Sequence, residues 1–220
     1  MSVAFAPFAG FVTGATQSSL QRRIRKMSDY PRQERVFSIA KRTVPIAGVF
    51  LTIGILGLLG TFIASSGSDL GDFMPELAGF YVSLILGLLL VWGGLARQYG
   101  ANQTSMWSRL APFFHHDIQY SQITNITTAG TDGWKVYGNG THLTLSKDVF
   151  DYTLAYLRIL EELKYRRFTA NNVEPHDPRW PEAAQNLRYE LAAEAYRNHQ
   201  KYYNSRPTEL QALIELAEVR

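Results

Sequence analysis

The sequence predicts an α+β membrane protein: a hairpin of two transmembrane helices, a small antiparallel β domain closed by a helix, and a C-terminal helical pair. Two apolar runs, 44–64 and 77–96, contain no Asp, Glu, Lys, Arg or His. A helix rises about 1.5 Å per residue, so each run extends roughly 30 Å, the thickness of the hydrocarbon core. Residues 65–76 between them are too few to form a domain, so the two helices form a hairpin.

The charge distribution predicts the side of the membrane that each segment occupies. Residues 1–43 carry eight basic and two acidic side chains, and the rest of the chain carries 14 basic and 17 acidic ones. Basic flanks stay on the cytoplasmic side, so we expect both termini in the cytoplasm and only 65–76 outside. A two-pass protein of the bacterial inner membrane fits this pattern. Residues 1–28 contain no acid, as in an organelle transit peptide, so an organelle inner membrane is the alternative.

The composition also limits the partners. The basic cluster before the first span predicts contact with anionic lipid headgroups, worth about 1 kcal/mol per residue near the surface. Its members are Arg22, Arg23, Arg25 and Lys26. The excess charge is confined to this juxtamembrane segment, so nucleic acid is not expected as a partner. The absence of cysteine excludes disulfides, thiol catalysis, iron–sulfur clusters and cysteine-ligated zinc.

Small residues recur every four positions in the second span. They are Gly79, Ser83 and Gly87. Such a stripe lets another helix approach closely, and packing within the hairpin is the simplest interpretation. The matching face of the first span would consist of Gly54, Gly57, Gly60 and Ala64. The alternative is that the stripe docks onto another membrane protein. Neither span contains an acidic, basic or histidine residue, which argues against a transporter or pump.

The clearest local signal lies at residues 134–146. Asn139 and Gly140 supply the two positive-φ positions of a two-residue hairpin turn. The turn then pairs apolar residues across the two strands, Val136 with Leu143 and Trp134 with Leu145. All four side chains share one face, so a half-buried antiparallel hairpin is predicted. Further strands are expected within 98–109 and 118–128.

Helical periodicity follows the hairpin, over residues 149–167. One side of this helix is apolar, with Phe150, Leu154, Leu157 and Leu160. The other side carries Asp151, Arg158 and Glu162, which we expect to face solvent. The helix therefore closes the small sheet.

The order of these segments resembles a known family. Two membrane helices, a strand pair, the element IQYSQI at 118–123, a hairpin and a closing helix look like the membrane-anchored bacterial pleckstrin-homology-like (PH-like) proteins. The resemblance covers about residues 44–168 and implies a PH-like β domain without catalytic residues. Phosphoinositide binding is not implied, because the region where lipid-binding members cluster Lys and Arg reads Ala101, Asn102, Gln103 and Thr104.

The C-terminal segment predicts two helices. Residues 169–181 contain three prolines and are interpreted as an extended linker. In the helix expected over 182–204, Tyr189, Tyr196 and Tyr203 recur every seven residues. This helix either packs on the protein's own domain or, as the sharper hypothesis, docks a partner helix through the tyrosines. Pro207 starts the last helix, for which a capping box is expected at Thr208 and Gln211.

One cluster contains possible metal ligands. Its residues are His115, His116 and Asp117, which His142 or His176 could complete. Adjacent residues on a loop rarely point at one ion, so a solvated loop is the favoured interpretation. The sequence contains no phosphate-binding glycine loop, nucleophile elbow or HExxH motif. We therefore expect no metal, no cofactor and no catalysis, with an enzyme that uses the histidines as the minor alternative.

Four segments follow from these signals: a basic N-terminal segment (1–43), the transmembrane hairpin (44–96), a PH-like β domain (97–168), and a linker with C-terminal helices (169–220). Packing surfaces outnumber reactive groups, so we expect a non-catalytic accessory, scaffold or assembly subunit. Its partners would be the other protein subunits of a larger membrane complex. The alternative is a membrane-tethered PH-like module that binds a lipid headgroup or a peptide.

Overall fold

The computed structural model describes residues 29–64, 74–130, 133–147 and 149–218. Its helices are α1 (Ala40–Ala64), α2 (Met74–Ala96), α3 (Thr153–Tyr165), α4 (Trp180–Asn198), α5 (Gln200–Ser205) and α6 (Pro207–Ala217). Its strands are β1 (Arg35–Ser38), β2 (Arg97–Ala101), β3 (Ser105–Leu110), β4 (Phe114–Gln119), β5 (Ile123–Thr128), β6 (Gly133–Gly138), β7 (Thr141–Ser146) and β8 (Thr169–Ala170). The protein is therefore a mixed α+β protein, which confirms that part of the predicted fold class.

Helices α1 and α2 are long and apolar enough to cross a membrane. Their apolar windows cover Thr43–Ile63, 21 residues, and Leu77–Ala96, 20 residues. Only 17% and 11% of these windows are buried in the protein. The core helix of a water-soluble protein would be covered by its neighbours, whereas these two helices expose most of their apolar surface.

The two helices pack against each other through glycines. A Cβ atom added at Gly57 would overlap the ring of Phe80, and one at Gly87 would lie 2.8 Å from the side chain of Leu51. A Cβ atom at Gly54 would also be too close to α2, at 2.6 Å from the nearest atom. The missing side chains therefore let the two helix backbones approach closely.

The strands form two four-stranded sheets, ordered β1-β2-β3-β4 and β7-β6-β5-β8. In the second sheet β5, β6 and β7 pair antiparallel, whereas the two-residue β8 runs parallel to β5. Strand β1 precedes the helical hairpin in the chain and β2 follows it. The hairpin is thus inserted between two neighbouring strands, an arrangement that the sequence analysis does not predict because the four-residue β1 lies in the basic segment.

Strands β6 and β7 form the predicted β-hairpin. The register pairs Trp134 with Leu145 and Val136 with Leu143, and all four side chains are buried. The turn residues Asn139 and Gly140 have φ of 50° and 70°. Both the turn and the apolar face are confirmed, since each depends only on local backbone preferences and alternation.

The element at residues 118–123 is not a single strand. Ile118 lies in β4, Tyr120–Gln122 form one turn of 3₁₀ helix, and Ile123 begins β5. Tyr120 is buried, and its hydroxyl donates a hydrogen bond to the carbonyl of Asn102 at 3.2 Å. The buried ring and its hydrogen bond hold this corner between the two strands.

Helix α3 is shorter than predicted. The carboxylate of Asp151 accepts hydrogen bonds from the N–H and the hydroxyl of Thr153, at 3.2 and 2.7 Å, and so defines the start of the helix. Asp151 is buried, not solvent-facing as expected. Helix α3 contacts the second sheet through Tyr156, whose ring meets the buried indole of Trp134 edge-on at 5.1 Å.

The C-terminal segment differs from its prediction in three places. The expected helix over 182–204 is broken at His199 into α4 and α5. The expected linker contains β8 and a turn in which Asn171 and Asn172 have positive φ, a conformation that asparagine tolerates. The capping box is absent, because α6 begins with Pro207 and has Arg206 as its N-cap without a side-chain hydrogen bond.

The chain divides into two compact units. One, here called the hairpin unit, comprises Phe37–Tyr99 and Arg109–His115. The other, the β-rich unit, comprises the described residues up to 36, Gly100–Ser108 and those from 116 onward. The C-terminal helices therefore belong to the same compact unit as the second sheet.

Candidate functional site

The β-rich unit contains a buried group of polar and ionisable side chains. Asp151 and His199 are only 5% and 4% exposed. Nε2 of His199 lies 3.2 Å from Oδ2 of Asp151, and Nη1 of Arg35 lies 3.5 Å from the same oxygen. We refer to Arg35, Asp151, Thr153 and His199 as the Asp151 cluster.

The Asp151 cluster compensates the carboxylate for its loss of water. Burying a charge is unfavourable unless an opposite charge and hydrogen bonds replace the solvent. Arg35 supplies the positive charge, and Thr153 supplies two hydrogen bonds to Oδ1. Asn198 donates to the hydroxyl of Thr153 at 3.1 Å. The cluster therefore joins β1, the start of α3 and the junction of α4 with α5.

Residues 30–36, which include the start of β1, make further contacts in the same unit. Nη2 of Arg32 lies 2.7 Å from Oε1 of Glu161, and the ring of Tyr30 meets that of Tyr202 edge-on at 5.7 Å. The side chain of Gln103 donates to the carbonyl of Arg32 at 3.1 Å. Burial lowers the pKa of Arg32, but the hydrogen bond and charge of Glu161 outweigh it and raise the pKa, so the guanidinium stays charged.

Tyr203 lies beside these contacts. It is buried, and burial raises the pKa of its phenol. A cavity of about 20 Å³ opens next to it, lined in part by Tyr30, Arg32 and Leu213. A cavity of this size has room for about one water molecule.

A larger groove of about 470 Å³ lies along α3 and α6. Its charged lining consists of Arg32, Arg158 and Lys164 with Glu161, Glu162 and Glu215. The groove therefore carries as many basic as acidic side chains. Tyr165, which is 80% exposed, provides an aromatic contact at the same groove.

The three small residues of the predicted stripe in α2 have different environments in the structure. The hydroxyl of Ser83 donates to the carbonyl of Phe50 at 2.9 Å, and Gly87 contacts Leu51. Among the described residues, no atom lies within 4 Å of a Cβ atom placed at Gly79. Ser83 and Gly87 therefore take part in packing within the hairpin, and Gly79 lies on an open surface.

The three tyrosines do not share one exposed face. Tyr196 and Tyr203 are buried and stack with their ring centroids 6.1 Å apart. The hydroxyl of Tyr196 donates to Oδ1 of Asn204 at 2.8 Å. Tyr189 is half-buried. The break at His199 lets two of the tyrosines pack within the chain's own unit, so only Tyr189 keeps a substantial surface for a partner.

The other predicted site residues give no joint site. His115, His116 and Asp117 lie in β4, where successive side chains alternate between faces, and not in the expected loop. Nδ1 of His116 lies 3.0 Å from the hydroxyl of Thr141. Within the part of the chain that the structure describes, no three His, Cys, Asp or Glu side chains are grouped to hold a metal ion. The predicted headgroup contacts Arg22, Arg23, Arg25 and Lys26 lie outside the described residues.

Sequence reasoning does not find the Asp151 cluster. It places Arg35 in the basic segment, Asp151 on a solvent-facing side and His199 inside a continuous helix. One local signal exists, because an Asp side chain commonly accepts a hydrogen bond from the backbone N–H two residues later, as Asp151 does from Thr153. The approach of Arg35 and His199 has no such signal, because their partner is distant in the sequence.

No protein-family model, curated protein or solved structure matches the chain. Asp151, Thr153 and His199 of the Asp151 cluster are buried, so the cluster joins distant segments of the chain. The accessible features are the apolar surface of the hairpin and the groove along α3 and α6.

Proposed function

We propose that this protein is a non-catalytic, membrane-anchored accessory or assembly subunit of a larger membrane protein complex. The exposed apolar surface of the hairpin carries the proposal. Its members include Val49, Ile53, Leu56, Phe62, Ile63, Val82, Ile85, Leu88 and Leu89. A water-soluble monomer rarely exposes so large an apolar patch, so lipid and other membrane subunits are the partners that fit.

The proposed topology follows from the charges. The hairpin spans the membrane twice, and both termini lie on the side that holds the eight basic residues before α1. We propose the inner membrane of a bacterium, with the inner membrane of an organelle as the alternative. The basic residues at 22–26 contact anionic headgroups on that side.

The open position Gly79 supports an assembly role. Ser83 and Gly87 of the same stripe already pack in the hairpin, whereas Gly79 leaves a gap into which another helix fits. Tyr189 offers a second contact on the β-rich unit. We propose Gly79 and Tyr189 as the remaining docking positions of the six that the sequence predicts.

The resemblance to the membrane-anchored PH-like proteins is part of the proposal. A PH-like domain would be a seven-stranded barrel closed by a helix, and four strands in one sheet, three antiparallel strands in the next and the helix α3 support that proposal. Strand β8 is additional to that pattern. In this interpretation the membrane hairpin is an insertion between the first two strands of the PH-like domain.

The groove along α3 and α6 favours one alternative, a membrane-tethered module that binds a peptide. Its balanced charges and its exposed Tyr165 are features of a protein-binding surface. A headgroup-binding site would instead need an excess of basic side chains. The two functions can be distinguished by co-purification. A subunit has a membrane partner in fixed stoichiometry, whereas a tethered module does not need such a partner.

Co-purification in mild detergent from native membranes tests the proposal. We expect the tagged full-length protein to carry one or more membrane proteins in fixed stoichiometry. Gly79→Leu should reduce their yield, because the larger side chain fills the open position. Gly60→Leu is the matched control, since Gly60 is equally open but lies on α1.

Purification of the wild-type protein alone, at undiminished yield, would overturn the accessory-subunit proposal and favour the peptide-binding module. Equal partner yields from Gly79→Leu and Gly60→Leu would remove Gly79 from the docking surface.

A further inference from the structure

The hairpin unit contains an exposed aromatic turn between β3 and β4. Phe113 is 71% exposed and Phe114 is 40% exposed. Two large aromatic side chains in succession are unfavourable in water, because each leaves an apolar surface unburied. The turn therefore presents two partly exposed aromatic rings.

The position of the turn relative to helix α2 is defined by two contacts. The ring of Phe113 meets that of Trp92 edge-on, with centroids 5.5 Å apart. The N–H of Ala111 donates to the carbonyl of Ala96, the last residue of α2, at 3.3 Å. The turn is thus attached to the end of the helix, beside the last turn of the apolar span.

The position of Trp92 in α2 indicates how deep in the membrane this ring contact lies. Trp92 lies four residues before the end of the apolar run, a distance of about 6 Å along the helix axis. Tryptophan at such a position marks the boundary between hydrocarbon and headgroups. Because Phe113 packs against Trp92, its ring reaches the same level.

The polarity changes sharply on either side of the turn. Arg97 follows α2 directly, and its guanidinium lies over the ring of Tyr99 at 5.5 Å. Nε of Arg109, at the end of β3, donates to the side chain of Gln98 at 2.9 Å. Basic residues therefore lie immediately next to the aromatic turn, as they do where a protein crosses from hydrocarbon to headgroups.

We propose that the β3–β4 turn, residues 110–114, inserts its phenylalanines into the headgroup boundary of the bilayer beside Trp92. The protein then contacts the membrane at a further place, besides its two spans and the proposed headgroup contacts of residues 22–26. This inference rests on the proposed membrane anchoring of the hairpin, and it adds a lipid-binding surface that lies more than ten residues beyond the second span.

A single-cysteine experiment tests the inference on the full-length protein. The chain contains no cysteine, so each variant carries one fluorescent label at a known position. We would label Phe113→Cys, Leu89→Cys in the span and Thr144→Cys on the exposed face of β7, and reconstitute each in phosphatidylcholine nanodiscs. Quenching by nitroxide-labelled lipid reports contact with the bilayer, and quenching by iodide reports contact with water.

The label at position 113 is expected to be quenched several-fold more by lipid nitroxide than the label at 144, and to be protected from iodide. A nitroxide near the lipid headgroups should quench the label at 113 more than a nitroxide deep in the acyl chains does. The label at 89 should be quenched more by the deep nitroxide. A second label, at Phe114→Cys, should behave as the label at 113 does.

The results that would contradict this inference differ from those that would contradict the membrane anchoring. Iodide quenching at 113 equal to that at 144, with position 89 still in lipid, would overturn this inference and leave the membrane anchor intact. Protection of 113 from both quenchers would overturn it in favour of a protein contact. Failure of lipid nitroxide to quench position 89 would overturn the proposed membrane anchoring itself.

Discussion

Nε2 of His199 lies 3.2 Å from a carboxylate oxygen of Asp151, although 48 residues separate the two in the sequence. The helix break between α4 and α5 falls at His199, and the start of α3 depends on Asp151. Arg35 approaches the same carboxylate. Three distant segments of the β-rich unit therefore meet at one buried charge, and the stability of that unit should depend on it.

Replacing Asp151 tests this dependence. We expect Asp151→Asn to lower the free energy of unfolding by about 3 to 5 kcal/mol, because it removes the buried negative charge that Arg35 and His199 approach. Urea unfolding of the full-length protein in detergent, followed by tryptophan fluorescence, measures the change. The control is Glu174→Gln, which alters an exposed carboxylate and should leave the midpoint unchanged. Equal midpoints for the two variants would show that the cluster contributes little.

Trp134 should be essential to the core of the β-rich unit. Its indole is fully buried and contacts Tyr156. We expect Trp134→Ala to lower the free energy of unfolding by about 3 to 5 kcal/mol, the range for removing a large aromatic side chain from a core. Thermal unfolding followed by circular dichroism tests this, with the exposed neighbour Lys135→Ala as the control. Unchanged melting of Trp134→Ala would contradict the buried position.

Alkaline pH should destabilise the protein through its buried phenols. Burial raises the pKa of both Tyr120 and Tyr203 above the usual value near 10. The folded state then keeps protons that the unfolded state loses. The stabilising contribution is therefore complete below about pH 10 and decreases as the pH rises further.

We expect the free energy of unfolding to fall above about pH 10, and Tyr203→Phe to reduce the steepness of that fall. Urea unfolding at a series of alkaline pH values measures the slope. Tyr165→Phe removes an exposed phenol and should keep the wild-type slope. A Tyr203→Phe slope identical to that of Tyr165→Phe would refute the assignment.

The proposed topology is testable with single cysteines in intact cells. A cysteine at Ser68, between the spans, should react with a membrane-impermeant maleimide added outside. A cysteine at His176, exposed in the segment before α4, should react only after the membrane is permeabilised. External labelling of position 176 would reverse the orientation, and labelling of both positions only after permeabilisation would place the loop inside.

The sequence by itself determined the features that depend on neighbouring residues. The β6–β7 hairpin follows from the Asn139–Gly140 turn and from strict alternation, both of which act over a few residues. The two long apolar helices follow from composition and length, with bounds that differ by only a few residues from 44–64 and 77–96. These signals are local, so no knowledge of the rest of the chain is needed to interpret them.

Only the tertiary structure decided the features that depend on distant residues. Gly79 and Gly87 have the same place in the sequence pattern, yet one is open and the other contacts Leu51. Asp151 matches a solvent-facing position by helical periodicity but is buried by Arg35 and His199. Periodicity reports which residues share a face of one element, whereas burial depends on which element covers that face, and the covering segments lie far away in the chain.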